Sequence, residues 1–157
     1  MILGIGIDLV SLPEFQTQVE TPGSHFLESI LTARELRRVH ARATAVGGSD
    51  DPAFVARHAG GRWAAKEAFI KAWSEALYGV APVIERDEVN WKMAEVVDDR
   101  WGRPALQLHS HLAQSFYSSM DEIWGPLNDK LHLHLSISHD GSYAIAQVLI
   151  EAGGISR

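Results

Sequence analysis

The sequence contains no cysteine, no excess of basic residues and no long hydrophobic run. Without a thiol, disulfide bonds, thiolate metal sites and cysteine nucleophiles are excluded. The 14 basic and 20 acidic residues give a formal net charge of −6, whereas general nucleic-acid-binding proteins usually have a basic balance. These absences rule out thiol chemistry and argue against a nucleic-acid partner.

The apolar start of the chain, residues 1–7, is short, has no basic flank and ends at Asp8. We therefore expect neither a signal peptide nor a membrane span, and a cytoplasmic protein is the simplest expectation. Of the 157 residues, 46% are hydrophobic and 22% are charged, which is ordinary globular composition. This length predicts one domain, residues 1–157, with a sizeable core.

The stretch 61–72, G-R-W-A-A-K-E-A-F-I-K-A, predicts the central helix, since neither glycine nor proline interrupts residues 62–77. Glu67 and Lys71 are four residues apart and share one helix face. Arg62 and Lys66 share a face in the same way. The local pattern is equally typical of a surface helix with an ordinary ion pair.

The run 2–10, I-L-G-I-G-I-D-L-V, is typical of a buried strand that contains an unexpected carboxylate, Asp8. Two interpretations stay open at this point. A carboxylate in a buried strand must be paired, hydrogen-bonded or bound to a cation. Asp8 could equally cap the turn into a helix that begins near Pro13.

The remaining pattern predicts an α+β fold, because helices and hairpins are segregated rather than alternating as strand–helix units. Thr32 and Glu35 form a capping-box signature for a helix with a basic face. That face is either solvated or a dock for an acidic partner; its residues are Arg34, Arg37, Arg38 and Arg42. The other predicted elements are helices at 14–20 and 110–123, strands at 89–97, 105–108, 131–138 and 143–150, a loop at 45–52, and a turn at 139–141. Residues 54–58 could begin a further helix, with Gly60 and Gly61 either breaking it or tolerated inside it.

Four motifs together resemble the 4′-phosphopantetheinyl transferases, specifically the short holo-acyl-carrier-protein synthase group. They are G-I-G-I-D-L-V near the start, R-W-A-A-K-E-A-F-I-K-A in the central helix, G-R-P between two strands, and S-I-S-H-D followed by Y-A-I-A. The resemblance spans most of the chain. It implies the fold of that family, with a mixed or antiparallel sheet around a long central helix.

The resemblance implies transfer of the phosphopantetheine arm of coenzyme A to a serine of an acyl carrier protein or carrier domain. Asp8 and Glu67 would be the ligands of a Mg²⁺ ion, and Lys71 would complete the catalytic set as a phosphate contact. The resemblance also implies coenzyme contacts, by Arg62, Lys66, Lys71, Gly102, Arg103, Pro104 and His139. The general base is open between Glu67, acting through a metal-bound water, and Asp140.

Two departures from the family pattern affect these implications. Relatives often have a glycine-containing turn directly after the lysine helix, whereas residues 73–77 continue the helix here. The first helix is usually basic and receives the carrier, but here it contains Glu14 and Glu20. Docking has therefore moved to the arginine face, or the carrier is unusual, such as a domain of a large fatty-acid synthase.

The resemblance further implies a homotrimer whose active sites lie between neighbouring chains. Coenzyme A is long, so one protein surface cannot bury it and a second wall is needed. Double-length relatives form this second wall with the second half of their own chain. A single-length chain would need a neighbouring chain to supply this second wall. The candidates for that wall and for the contact surface between chains are His139, the turn 102–104, and the strands 131–137 and 144–150.

Two other classes of function remain as alternatives. They are a different Mg²⁺-dependent phosphotransferase or nucleotide hydrolase, and a non-catalytic module that binds an acidic partner.

Overall fold

The computed structural model describes residues 1–47, 51–127 and 130–153, and residues 48–50 of the predicted loop lie outside this range. The α+β class is confirmed, with antiparallel strands and a long central helix. In chain order the elements are β1 (Ile2–Ser11), α1 (Leu12–Glu20), α2 (Phe26–Ile30), α3 (Ala33–Gly47), α4 (Pro52–Ala76), 3₁₀ turns at Arg86–Glu88 and Trp91–Met93, β2 (Ala94–Asp98), β3 (Pro104–Leu108), α5 (Ser110–Trp124), β4 (Leu131–Asp140) and β5 (Tyr143–Ala152).

The strands form two antiparallel sheets, one with the order β1-β5-β4 and one with β2 and β3 alone. The final hairpin is longer than its sequence pattern predicts. Asp140 pairs with Tyr143, so only two residues form the turn, and His139 lies inside β4 opposite Ala144. The strand predicted at 89–97 begins only at Ala94, because a 3₁₀ turn precedes it.

Helix α4 packs directly on β1, and two glycines of β1 make this possible. A Cβ atom on Gly6 would lie 2.0 Å from the carbonyl oxygen of Ala68, and one on Gly4 would lie 2.2 Å from that of Ala72. Such distances are far below any van der Waals contact, so only glycine allows the two backbones to approach this closely. The glycines of the first strand therefore fix the position of Asp8 against α4.

The helix begins at Pro52, so residues 54–58 and the central stretch belong to one helix, and the Asp51 side chain accepts a hydrogen bond from the Ala53 amide at 2.9 Å. Gly60 and Gly61 lie inside it without breaking it. A Cβ on Gly61 would come within 2.7 Å of the His139 imidazole. Glycine at this position therefore lets β4 place a histidine against the helix.

The two faces of the larger sheet differ in what covers them. The inward residues of β5 are buried, and those of β4 pack half-buried against the same core. That strands 131–137 and 144–150 contribute to a contact surface stays a prediction. The outward face is open, and its apolar part lies on β1 and the adjoining end of β5, whereas the outward residues of β4 are polar. The exposed apolar side chains there include Ile5 (47%), Ile7 (54%), Leu9 (60%) and Ile145 (36%). An apolar patch of this kind is typical of a protein–protein contact.

Candidate functional site

Asp8 lies within β1, and its side chain is only 14% exposed. The Lys71 ammonium donates to its Oδ1 at 2.7 Å and to the Ile7 carbonyl at 3.2 Å. The strand carboxylate is therefore paired, and it does not cap α1, whose start has no side-chain cap. Lys71, a predicted phosphate contact, thus holds Asp8, a predicted metal ligand, against α4.

Glu67 is the second predicted metal ligand, and it does not pair with Lys71 as the helical spacing suggested. Its carboxylate is 7% exposed and accepts a hydrogen bond from the Arg86 guanidinium at 2.7 Å. Glu67 is one helical turn before Lys71, and Lys71 contacts Asp8. The carboxylates of Asp8 and Glu67 therefore lie beside the same two turns of α4. We call Asp8, Glu67, Lys71 and Arg86 the carboxylate wall.

Lys66 is fully buried, with a side-chain exposure of 0%, although the resemblance implied a coenzyme contact. Its ammonium donates to Glu35, at 2.8 Å, and to the carbonyls of Ile30 and Trp91. All three N–H donors are thereby used. Burial lowers the Lys66 pKa, and the Glu35 carboxylate opposes this effect. The geometry gives Lys66 a place in the core and leaves it no donor for a phosphate.

Glu35 also confirms the predicted capping box. The Thr32 amide donates to the Glu35 carboxylate at 2.8 Å, and the Glu35 amide donates to the Thr32 hydroxyl at 3.1 Å. A second carboxylate oxygen accepts from the Val96 amide at 2.9 Å. One side chain thus joins α3, α4 and β2, so removing it would leave Lys66 as an unpaired buried charge.

Four of the predicted coenzyme contacts line one cavity of about 270 Å³. They are Arg62, Gly102, Pro104 and His139. Three further cationic or titratable side chains, which the resemblance did not include, line the same cavity: Arg42, Arg57 and His58. We call this cavity the arginine pocket.

The arginine pocket has more positive than negative charge. Asp98 lies at its centre, and Oδ2 of this carboxylate is 2.8 Å from Arg62, 3.3 Å from Arg38 and 3.6 Å from Arg42. The Arg62 residue is 5% exposed, and its Nε is buried without a hydrogen-bond partner among the described residues. A buried, unpaired guanidinium N–H beside a single shared carboxylate fits a pocket that is completed by an anion.

Two histidines of the pocket are held in the neutral form. Burial lowers the His58 pKa to about 4, and the guanidinium groups around it act in the same direction. Burial also lowers the His139 pKa, although the Nε2–H of His139 donates to the Arg57 carbonyl at 2.9 Å. With both imidazoles neutral, the surplus charge of the arginine pocket comes from its arginines.

Arg103 is the one residue of the predicted 102–104 set that does not line the arginine pocket. Its guanidinium donates to Asp99 at 2.7 Å and lies 4.7 Å from the centre of the Trp101 ring. Hydrogen bonds from the Arg103 and Trp101 amides lower the Asp99 pKa. Arg103 therefore stabilises the turn that carries Gly102, whose φ of +82° favours glycine.

The carboxylate wall and the arginine pocket lie on opposite sides of α4. Successive helical residues are rotated by roughly 100°, so Arg62 and Lys71, nine residues apart, point about 180° from each other. The same separation relates His58 to Glu67. None of Asp8, Glu67 and Lys71 lines the pocket. A single chain therefore presents two separate half-sites.

Sequence reasoning missed Arg42, Arg57, His58 and Arg86 as members of these half-sites. His58 had a usable signal, because it precedes Arg62 by four residues and lies on its side of a helix that continues upstream. Arg57 precedes Arg62 by five residues, so helical spacing does not assign it to that side. Arg86 had no such signal either, since it lies on the connection after α4, whose path the sequence pattern does not predict.

Residues 1–47, 51–127 and 130–153 include no helix that is long and apolar enough to cross a membrane. The same residues contain no group of three or more histidine, aspartate or glutamate side chains placed to hold a metal ion. A Mg²⁺ site does not need three protein ligands, because this ion is held by one or two carboxylates together with substrate phosphates and waters.

Comparison with known proteins agrees with the motifs. Residues 4–148 match the family described as the 4′-phosphopantetheinyl transferase superfamily. A holo-[acyl-carrier-protein] synthase of Corynebacterium efficiens is 45% identical over 145 residues, which cover 92% of this chain and 91% of that protein. The corresponding protein of Corynebacterium glutamicum is 41% identical over 149 residues, covering 95% and 98%.

Solved structures agree as well. An ACPS–CoA complex from Chronobacterium ammoniagenes has a TM-score of 0.78 at 43% identity, covering 96% of this chain and 98% of that one. The acyl carrier protein synthase of Mycobacterium tuberculosis has a TM-score of 0.66 at 32% identity, covering 97% and 99%. On its sequence, its fold and its relatives, the chain belongs to the 4′-phosphopantetheinyl transferase superfamily.

Proposed function

We propose that the protein transfers the 4′-phosphopantetheine group of coenzyme A to a serine of an apo acyl carrier protein or carrier domain. The other product is adenosine 3′,5′-bisphosphate. The observation that carries this proposal is the arginine pocket, whose surplus positive charge and unpaired Arg62 Nε fit a phosphorylated ligand. The relatives named as holo-[acyl-carrier-protein] synthases and the CoA complex of one relative support the same ligand class.

The donor set of the carboxylate wall fits Mg²⁺. Asp8 and Glu67 offer hard carboxylate oxygens, and both are largely buried yet paired only with flexible cations. A bound Mg²⁺ would act as a Lewis acid on the diphosphate of coenzyme A. Lys71, with a side-chain exposure of 52%, is free to turn from Asp8 towards a phosphate.

The reaction needs little covalent chemistry from the chain. The serine oxygen of the carrier forms a bond to the phosphorus next to pantetheine, while the phosphoanhydride bond to adenosine 3′,5′-bisphosphate breaks. The serine proton must be taken up near that phosphorus. Glu67 in the carboxylate wall and Asp140, which follows His139 at the exposed end of β4, are the two candidate bases.

We further propose a homotrimer in which each active site combines the carboxylate wall of one chain with the arginine pocket of its neighbour. Because the two half-sites face opposite sides of α4, one coenzyme molecule cannot reach both in the same chain by a short path. The open apolar face formed by Ile5, Ile7, Leu9 and Ile145 supports burial against another copy. Closed rotational symmetry would make all the sites equivalent.

The arginine face of α3 is the proposed docking surface for the carrier. Arg42 and Arg38 are drawn towards Asp98, whereas Arg34 and Arg37 are exposed and have no ion-pair partner among the described residues. An open groove of about 440 Å³ lies beside them and is bordered by Arg100. An acidic partner would find its charge complement here rather than on α1.

Reversing Arg34 and Arg37 together to glutamate is expected to weaken carrier binding at least about tenfold at low salt. The salt dependence of the remaining affinity should become shallow, because fewer charge contacts are left to screen. Calorimetry with the apo carrier at several salt concentrations measures both effects. Coenzyme A affinity should be unchanged, since neither residue lines the arginine pocket.

Lys92→Glu is the matched control for that experiment, because it changes the net charge by the same amount per residue at an exposed position away from α3. It should leave carrier affinity nearly unaltered. Carrier affinity of the Arg34 and Arg37 double variant equal to that of the unchanged protein at low salt would remove the docking proposal.

The His58 pKa predicts a specific loss of stability in acid. The imidazole is neutral in the fold down to about pH 4 but gains a proton near pH 6.5 when unfolded. The unfolded chain therefore binds more protons between these values, and stability falls as the pH drops from 7 to 4. Between pH 7 and pH 5, the free energy of unfolding of His58→Gln should fall by about 1 kcal/mol less than that of the unchanged protein, allowing for solvent screening.

Urea denaturation at the two pH values measures this difference. The surrounding charges are Arg42, Arg57 and Arg62 from α3 and α4, Asp98 from β2 and His139 from β4. Burial also lowers the His139 pKa, so this imidazole contributes to the pH dependence in the same direction, and His139→Gln serves as the second comparison. Equal losses in the unchanged protein and in His58→Gln would contradict the prediction.

Incubation with coenzyme A, Mg²⁺ and an apo carrier protein tests the proposed function directly. Mass spectrometry should show that the carrier gains one phosphopantetheine group. A nucleotide hydrolase would instead consume coenzyme A without changing the mass of the carrier. A non-catalytic module would bind the carrier and leave both reactants intact.

A further inference from the structure

We infer that Arg86 is a coenzyme-binding residue that holds Glu67 until the metal arrives and then turns to the diphosphate of coenzyme A. The inference rests on the proposed function and names a contact at the same site. It starts from the Glu67–Arg86 ion pair, whose oxygen and nitrogen atoms are 2.7 Å apart. The pair joins the rigid helix α4 to the connection that follows it.

The two partners of this pair differ greatly in their surroundings. The Glu67 side chain is 7% exposed, while the Arg86 side chain is 73% exposed. Arg86 has no other hydrogen bond or ion pair among the described residues. The carboxylate is therefore fixed, whereas the guanidinium is attached at one point and can rotate away at small cost.

The charges of the carboxylate wall show why Arg86 must move. Asp8 and Glu67 are balanced by Lys71 and Arg86, so the wall as it stands is neutral. A divalent metal held by both carboxylates would displace the two cations and leave two positive charges in excess. The diphosphate of coenzyme A carries two negative charges on its non-bridging oxygens and would restore the balance, provided that Lys71 and Arg86 stay close to it.

The position of Arg86 suits this second contact. It borders an open groove of about 490 Å³ with Trp63, Glu67 and Trp91. Glu85 and Asp87, the chain neighbours of Arg86, line the same groove. Arg86 is the one cationic residue among the described residues that line it, and a phosphate bound there would meet its positive charge. Helix α4 continues to Ala76, so no turn with free backbone amides follows Lys71 directly. A guanidinium offers paired N–H donors that match phosphate oxygens, which an ammonium cannot do.

The test measures binding of Mn²⁺, a paramagnetic substitute for Mg²⁺, by electron paramagnetic resonance with and without coenzyme A. Without coenzyme A, Arg86→Gln should bind Mn²⁺ about two- to fivefold more tightly, because the competing cation has gone. The increase in Mn²⁺ affinity caused by coenzyme A should fall at least about tenfold in the same variant. Arg86→Lys keeps the positive charge. Its Mn²⁺ affinity without coenzyme A should therefore be close to that of the unchanged protein, whereas the increase caused by coenzyme A should be only partly restored.

Each other result overturns the inference in a distinct way. Unchanged Mn²⁺ affinity in Arg86→Gln would make the pair an ordinary surface contact. Tighter Mn²⁺ binding with full coupling to coenzyme A would make Arg86 a simple competitor that never reaches the diphosphate. Glu67→Gln separates this from the proposed function: if that variant binds Mn²⁺ as the unchanged protein does, the metal site itself is wrong.

Discussion

Asp8→Ala and Glu67→Ala are each expected to lower the rate of phosphopantetheine transfer at least a hundredfold, or about 3 kcal/mol in the activation barrier. Each change removes one of the two carboxylates proposed to hold Mg²⁺. The fold should survive, because the partners left behind, Lys71 and Arg86, are 52% and 73% exposed and can be solvated. Transfer to an apo carrier, followed by mass spectrometry across a range of Mg²⁺ concentrations, measures the effect.

Glu75→Ala is the matched control for the carboxylate variants. Glu75 is on the same helix and accepts a hydrogen bond from the Ile5 amide of β1 at 2.9 Å, so its removal also changes the contact between α4 and β1. It should nevertheless retain most of the transfer activity, since it belongs to neither half-site. Near-normal activity of Asp8→Ala at low Mg²⁺ would show that this carboxylate does not hold the metal.

The fold was largely predictable because its elements carry local signals. Strict alternation of apolar and polar residues marked β4, and the uninterrupted run 62–77 marked the second half of α4. The capping box of Thr32 and Glu35 was correct to the residue. The sequence left open whether Gly60 and Gly61 break α4, because glycine normally weakens a helix, and only the fold shows that His139 needs the space at Gly61.

Lys66 shows where sequence reasoning about the site ends. Arg62 and Lys66 are four residues apart, and spacing alone gives them one face and one role. In the fold, Arg62 reaches the arginine pocket, whereas Lys66 enters the core and meets Glu35. The difference depends on where α3 and the turn at Trp91 pack, and these are long-range contacts that a helical period does not encode.

The charge partners of the carboxylates were missed for the same reason. Glu67 and Lys71 have ideal spacing for a pair on one helix, yet each is bonded to a residue of another element. A contact with β1 draws Lys71 to Asp8, and the connection after α4 brings Arg86 to Glu67. Sequence spacing placed Glu67 and Lys71 on one face of the helix but did not show the residue with which each of them pairs.

Mixing two inactive variants is expected to restore activity if each site is shared between neighbouring chains. Asp8→Ala removes a residue of the carboxylate wall, and His139→Ala removes one of the arginine pocket. When equal amounts of the two chains assemble at random into trimers, each site takes its carboxylate wall and its arginine pocket from either kind of chain with equal probability. About a quarter of the sites then have both walls intact, so the mixture should recover up to about a quarter of full activity.

The design includes its own control, because a mixture of Asp8→Ala and Glu67→Ala should stay inactive. Both changes lie on the carboxylate wall, so every site in that mixture carries one of them. Co-expression of differently tagged chains ensures mixed assembly, and sedimentation establishes the number of chains. A fully active monomer would end the proposal of a shared site, as would an inactive Asp8→Ala and His139→Ala mixture with proven mixed trimers. Since Arg62 and Lys71 point to opposite sides of α4, recovered activity in the first mixture alone requires a coenzyme that bridges two chains.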